Sequence, residues 1–168
     1  MKNYKFCPYC GSPNRKYKEF FGCPKCRKKV FMDSVPCVSA FIIGNGKYLI
    51  CKRAIEPSKG AYDVIGGFLK PGEHPETGII REFKEETGLN IKVIDLLGVY
   101  MDKYEYQEDI SNTLGFCYIG KIISGKAEPQ DDAASLHWLP IDKVPKDIAF
   151  EWIKKALKDL QVWYRQQK

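Results

Sequence analysis

Between Gly67 and Leu89 the chain sets Glu73, Arg81, Glu82, Glu85 and Glu86 at fixed intervals along a loop and a helix, a pattern that no ordinary surface helix needs. Residues three and four apart on a helix are neighbours, so Glu82 faces both Glu85 and Glu86 across one turn. Like charges held there repel unless a cation sits among them. The spacing therefore points to oxygen ligands gathered for a hard divalent ion, Mg²⁺ or Mn²⁺, of the kind that also binds the phosphates of a substrate. A solvated charged helix is the competing reading.

The helix is bounded by Pro75, which suits a first turn where its missing N–H goes unnoticed, and by Gly88, which suits the left-handed position after a last turn. Ile79, Ile80 and Phe83 recur at spacings of three and four, predicting an apolar stripe on a core with the carboxylates on the opposite, open side. Arg81 and Glu85 are four apart and can pair along the helix, while Glu73, arriving from the loop, can brace the Arg81 guanidinium. Such a brace would hold the metal ligands still.

This stretch resembles the Nudix box, Gly-x5-Glu-x7-Arg-Glu-U-x-Glu-Glu-x-Gly-U with U a bulky apolar residue, and matches it at Gly67, Glu73, Arg81, Glu82, Phe83, Glu85, Glu86, Gly88 and Leu89. The resemblance implies that Glu82, Glu85 and Glu86 bind divalent ions, that Gly67 offers a backbone carbonyl, and that Glu73 and Arg81 brace the set. It also implies the reaction: hydrolysis of a nucleoside diphosphate linked to another group, with metal ions neutralising the charge that builds on the phosphate oxygens. A general base is still required. The acidic loop with Asp102, Glu105, Glu108 and Asp109 is the first candidate and the pair Asp131 and Asp132 the second, against the alternative that both are solvated turns.

A second signal is Cys7-Pro-Tyr-Cys10 and, after twelve residues, Cys23-Pro-Lys-Cys26, the spacing of a structural Zn²⁺ site with four thiolates. Disulfides or a redox pair are weaker readings. The N-terminus carries no apolar run of a secretory signal, so a cytosolic location, where thiols stay reduced, is expected. Cys37, Cys51 and Cys117 lie in apolar segments and are expected to be buried structural thiols.

These signals divide the chain into a zinc ribbon over residues 1–33 and a catalytic domain over 34–168. With 168 residues, 44% of them hydrophobic, there is enough for one core plus a small appendage that a metal must hold together. No apolar stretch has the length to cross a membrane, and no membrane partner is expected. The net charge of +6 is uneven, since residues 1–30 hold nine Lys or Arg against Glu19 alone. A basic ribbon with Tyr9, Tyr17 and Phe20 among its lysines could touch nucleic acid, but a packing or dimerising role is the preferred expectation. The expected partners are thus a nucleotide substrate and a second copy in a homodimer, and nucleic acid is not expected.

Along the rest of the chain, Val35 to Ile43 and Lys47 to Arg53 read as strands joined at Gly44-Asn45-Gly46, a hairpin turn signal. Further strands are predicted at 61–65, 91–101, 113–122 and 136–139, and a helix from Asp147 onward. Fold class is α/β: an α/β/α sandwich around a mixed sheet, which the Nudix resemblance also implies.

Ribbon plus box is similar in order to NADH pyrophosphatases and related enzymes acting on FAD or ADP-ribose. NADH-selective members carry Ser-Gln-Pro-Trp-Pro-Phe-Pro soon after the box, where this chain reads Gly98-Val-Tyr-Met-Asp-Lys-Tyr-Glu-Tyr-Gln107, so selectivity for reduced nicotinamide is not assigned. Tyr100, Tyr104 and Tyr106 are candidates to stack a base. A sanitising nucleoside triphosphate hydrolase and a non-catalytic regulator with a nucleic-acid-binding ribbon are the alternatives; the complete carboxylate set argues against the regulator. His74 and His137 have no spaced partners and are expected to be surface or packing residues.

Overall fold

The computed structural model describes residues 4–106 and 109–167, the side chains of Tyr106 and Asp109 excepted. Its first sheet is small, with three antiparallel strands in the order β1 (Arg15–Lys16), β2 (Phe20–Gly22) and β3 (Lys29–Phe31). The second sheet holds seven strands. Its main path runs β10 (Ala133–Pro140), β5 (Lys47–Arg53), β4 (Val35–Gly44), β9 (Asp109–Ser124), β8 (Asn90–Tyr106), while β6 (Tyr62–Asp63) pairs with β5 and β7 (Gly66–Phe68) with β4. The β4–β9 pair is parallel and the others are antiparallel, so the sheet is mixed.

The β4–β5 hairpin closes through Asn45 and Gly46, whose φ angles of 49° and 71° match the twist of the strands they join. Alternation along β4 then builds two cores. Val38, Ala40 and Ile42 face α1 (Pro75–Thr87) with Ile79, Phe83, Leu89 and Ile91, while Phe41 points the other way toward α2 (Glu151–Gln166), joining Tyr48, Ile119, Ile153, Leu157 and Leu160. One helix on each face makes the expected α/β/α sandwich.

The ends of α1 are fixed as the sequence indicates. His74 is the N-cap, its Nδ1 accepting from the Glu76 amide at 3.3 Å, Pro75 opens the helix, and Gly88 at φ 70° closes it with its N–H donating to the Lys84 carbonyl. Ile80 differs from expectation: it is exposed, and the core stripe of α1 is Gly78, Ile79 and Phe83. The segment 61–65 is also not one strand. β6 ends at Asp63 and β7 begins at Gly66, where any Cβ would fall on the Val38 carbonyl, so the backbone crosses close over β4 at that point. The final helix starts at Glu151 instead of Asp147, because Asp147 and Ala149 are held extended by the Tyr62 backbone, at 2.8 and 2.9 Å. Strands β8 and β9 outrun their predicted bounds because they pair along their whole length, with bulges between Val93 and Asp95 and between Leu96 and Gly98.

Candidate active site and cysteine cluster

Arg81 ties the loop after β7 to α1. Its Nε and Nη2 donate to the two oxygens of Glu73 at 2.7 and 2.8 Å, its Nη1 donates to Glu82 at 2.7 Å and to Glu85 at 2.8 Å, and Nη2 reaches the Phe68 carbonyl at 3.3 Å. Glu73 also accepts from the Lys70 amide at 2.9 Å. A planar guanidinium can serve several carboxylates at once because its five donors are fixed in a fork. The Arg81 hydrogen bonds, with the Lys70 amide, hold the Glu73 carboxyl down at about 2.

The three box glutamates are not equivalent. Glu85 is exposed, whereas Glu82 and Glu86 are buried at 9% and 6% exposure, which overturns the expectation that all three lie on an open side. Spaced four apart, they line one wall of a cavity of about 340 Å³ with Gly66 and Gly67. Burial pushes the Glu86 carboxyl up to about 9, with the charges of Glu82, Asp63 and Asp132 adding to the effect. Burial also raises Glu82, against the pull of Arg81. Two buried carboxyls made costly to ionise together, beside the backbone of Gly66 and Gly67, form a set of oxygen ligands that fits a hard divalent cation. A Cβ at Gly67 would stand 2.6 Å from Glu82 Oε1, so only glycine leaves that carboxylate its place beside the backbone.

The remaining walls contain residues that the sequence reading missed. Arg53, at the end of β5, donates to Asp63 at 2.5 Å and to the Pro57 carbonyl at 2.7 Å, and both charged partners are buried. Burial pushes the Asp63 carboxyl up, while Arg53 and the Val64 amide pull it back. A charged residue ending an apolar strand, with an acid in the next strand, was the available signal. Tyr104, Phe68, Phe150 and Trp152 form an aromatic side, with Tyr104 in contact with Phe68 at 5.4 Å and with Phe150 at 5.9 Å between centroids. Nothing in the spacing of Phe150 and Trp152 separated them from the apolar face of α2.

Of the general-base candidates, Asp102 and Asp132 both line the cavity, and Asp132 is the one whose charge is felt at Glu86. Glu105 and Asp131 are exposed and do not line it, while Glu108 and the Asp109 side chain lie outside the described residues. Of the tyrosines, only Tyr104 lines the cavity. Tyr100 is buried under α2, its ring against Trp152 and its hydroxyl donating to Asp159 at 2.8 Å, which removes it as a stacking candidate; the Tyr106 side chain lies outside the described residues. Cys51 and Cys117 are buried as expected, but Cys37 is half-buried and lines the cavity. Burial, with Asp63 and Asp102 nearby, pushes the Cys37 thiol up to about 11, so it is an uncharged wall group at neutral pH. His74 caps α1, and His137 pairs with Ser135 at 2.8 Å; neither lines the cavity.

The four ribbon cysteines converge. Their sulfurs lie within 4.8 Å of one another, with Cys7 to Cys26 at 3.6 Å and Cys10 to Cys23 at 3.5 Å. A tetrahedron with metal–sulfur bonds of about 2.3 Å has edges of roughly 3.8 Å. Both knuckles use the same turn: Gly11 N–H donates to the Cys7 carbonyl and Arg27 N–H to that of Cys23, both at 2.9 Å, with φ angles of 70° and 62°. The Ser12 amide holds the Cys10 thiol down at about 6; at Cys26 the Lys28 amide lowers the pKa, but burial and three facing sulfurs prevail and push it up to about 11. Four thiols facing one another at these distances offer the donor set of a tetrahedral Zn²⁺ site.

Similarity to known proteins identifies the family to which this two-helix sandwich with its carboxylate-walled cavity belongs. The NUDIX domain family matches residues 33–160, and the chain belongs to the Nudix family as one of its pyrophosphohydrolases. It is 33% identical over 135 residues to an ADP-ribose pyrophosphatase of Methanocaldococcus jannaschii, covering 80% of this chain and 78% of that protein. It is 31% identical over 93 residues to the NAD-capped RNA hydrolase NudC of Salmonella heidelberg, but spans only 36% of that protein's length. Among solved structures, a NUDIX hydrolase from Nitrosomonas europaea superposes with a TM-score of 0.74 at 27% identity over 92% of this chain and 88% of that one. A MutT NUDIX hydrolase from Burkholderia pseudomallei shares the fold at a TM-score of 0.67 and 22% identity, over 76% of this chain and 98% of that one.

Proposed function

We propose that this enzyme hydrolyses the diphosphate of a nucleoside diphosphate that carries a second substituent, ADP-ribose or a dinucleotide, in preference to nucleoside triphosphates. The observation that carries the reading is the cavity itself: the Glu82 and Glu86 wall faces an aromatic side of Tyr104, Phe150 and Trp152, so one chamber offers both a charged end and a stacking end. Similarity to an ADP-ribose pyrophosphatase over most of both chains supports it. Mg²⁺ or Mn²⁺ would be held by Glu82, Glu85, Glu86 and the Gly67 carbonyl, and when bound would neutralise charge developing on the diphosphate oxygens.

Around that group the protein's own residues have separate tasks. Glu73 and Arg81 keep the carboxylates in place. Asp102 and Asp132, both on the cavity wall, are the groups that can take the proton from the attacking water. Arg53, paired to Asp63 on the cavity wall, sets a positive charge where a phosphate can sit. Residues 1–33 form a separate unit held by Zn²⁺ on Cys7, Cys10, Cys23 and Cys26, and 34–168 form the catalytic domain. Release of AMP with Mg²⁺ from ADP-ribose, NADH, NAD and FAD, beside the common nucleoside triphosphates, tests the reading. A compound with two substituents on its diphosphate leads the panel; turnover of triphosphates alone would overturn it.

A further inference from the structure

The ribbon sheet has two faces of different character. Phe21 of β2, with Val30 opposite it on β3, points to the knuckles: Phe21 is 4% exposed, packs against Tyr4, and shares this interior with Cys7 and Cys23. A module this small needs only one such face, and the outer one would ordinarily be polar. Here it is not. Phe20 and Phe31 lie opposite each other, as do Gly22 and Lys29, and Arg15 on β1 lies opposite Gly22, so strand alternation puts all of them on the outer face.

Tyr17 completes this face. Its ring stacks on Phe20 at 4.7 Å and 18° and also covers Gly22, where a Cβ would stand 2.9 Å from the tyrosine ring. Phe31 lies 5.8 Å from Phe20, and the Lys29 ammonium sits 4.6 Å above the Phe20 ring. The outer aromatics are nonetheless open to solvent, Tyr17 at 48% and Phe31 at 55%. An aromatic sheet face left in water needs an occupant. Charge says which kind: residues 1–30 hold nine Lys or Arg against one Glu, and two of those cations, Arg15 and Lys29, lie on this same face.

We infer that this outer face, built from Tyr17, Phe20 and Phe31 with Arg15 and Lys29 beside them, binds single-stranded nucleic acid. Bases stack on the open rings, which accept any base because every base has a π-face, and the backbone phosphates pair with the flanking cations. A duplex, whose bases are already stacked, cannot use the rings. This reverses the expectation from composition alone, because composition showed basic residues and aromatics but not that they share one face. The inference is independent of which diphosphate the active site cleaves.

Binding of the full chain to a short labelled RNA strand, to the DNA strand of the same sequence, and to the corresponding duplex, followed by fluorescence anisotropy, tests it without requiring hydrolysis. Both single strands should bind more tightly than the duplex, and with two phosphates neutralised their affinity should fall roughly sevenfold when salt is raised fourfold. Tyr17→Ala with Phe31→Ala should weaken single-strand binding by about tenfold or more, with Phe31→Trp retaining it. Lys29→Glu should weaken binding and flatten its salt dependence. Hydrolysis of free ADP-ribose should be the same in all variants. If the double variant loses its zinc, Lys29→Glu and Phe31→Trp carry the test alone. No single-strand binding at low salt, binding that the double alanine variant and Lys29→Glu leave unchanged, or binding that Phe31→Trp abolishes, overturns the inference. So does a double variant that alters only the molecular mass in light scattering, which would make the face a contact between two copies of the chain.

Discussion

Oε1 of Glu82 stands 2.6 Å from the position that a Cβ on Gly67 would occupy, so the backbone of β7 and the carboxylate of α1 share one space. Gly67→Ala should therefore displace Glu82, the end of a side chain, and not the backbone. Because a misplacement of about 1 Å in a catalytic array can cost on the order of 10²-fold, hydrolysis should drop by that order while thermal unfolding changes little. Steady-state rates beside a melting curve check this. A variant with unchanged rate would remove the close approach from the account.

The Glu73–Arg81 pair makes a pH-dependent contribution of definite sign. Glu73 is held at about 2, below an ordinary glutamate, so its pairing stabilises the folded chain fully above the usual glutamate range and is lost as pH falls toward 2. Glu73→Gln should lower the melting temperature by a constant amount at neutral pH, and that difference should shrink below about pH 4.5, where Glu73 of the unfolded chain takes up a proton while the paired carboxyl of the folded chain stays ionised. Melting curves of both proteins across that range check it; a difference that grows on acidification contradicts the assignment.

Phe83 is fully buried between α1 and the sheet, in the same core as Val38, Ile65 and Ile79. Truncation to alanine should cost about 3–5 kcal/mol of stability, the range for large-to-small changes in a packed core. Chemical unfolding should report it as a lower midpoint with unchanged slope.

The two metal sites should separate. Changing Cys7 and Cys10 to Ser should abolish zinc content and loosen residues 1–33, yet leave Mg²⁺-dependent hydrolysis measurable, because α1 is anchored on the larger core. Elemental analysis of wild type, purified reduced and without chelator, should find one zinc per chain and none in the variant.

What was legible in the sequence was whatever local spacing encodes. The bounds of α1 at Pro75 and Gly88, the Glu73–Arg81 brace and the Asn45–Gly46 turn all follow from residues a few positions apart, and each has its expected geometry. The losses have a common cause in tertiary contact. Helix α2 begins late because β6 claims the backbone of Asp147 and Ala149; Tyr100 is lost to the cavity because α2 covers it, with Trp152 against its ring and Asp159 taking its hydroxyl. Arg53 and Asp63 are ten residues apart and become partners only through the β5–β6 pairing. Which box glutamates are buried was likewise set by where α1 lies on the sheet.

The central claim is that the buried box carboxylates hold a divalent cation for diphosphate hydrolysis, and Glu86→Gln tests it most directly. The change keeps shape and hydrogen bonding but removes the charge, so AMP release from ADP-ribose at saturating Mg²⁺ should fall on the order of 10²-fold or more, with the fold and zinc content intact. Turnover near that of wild type in this variant would contradict the account.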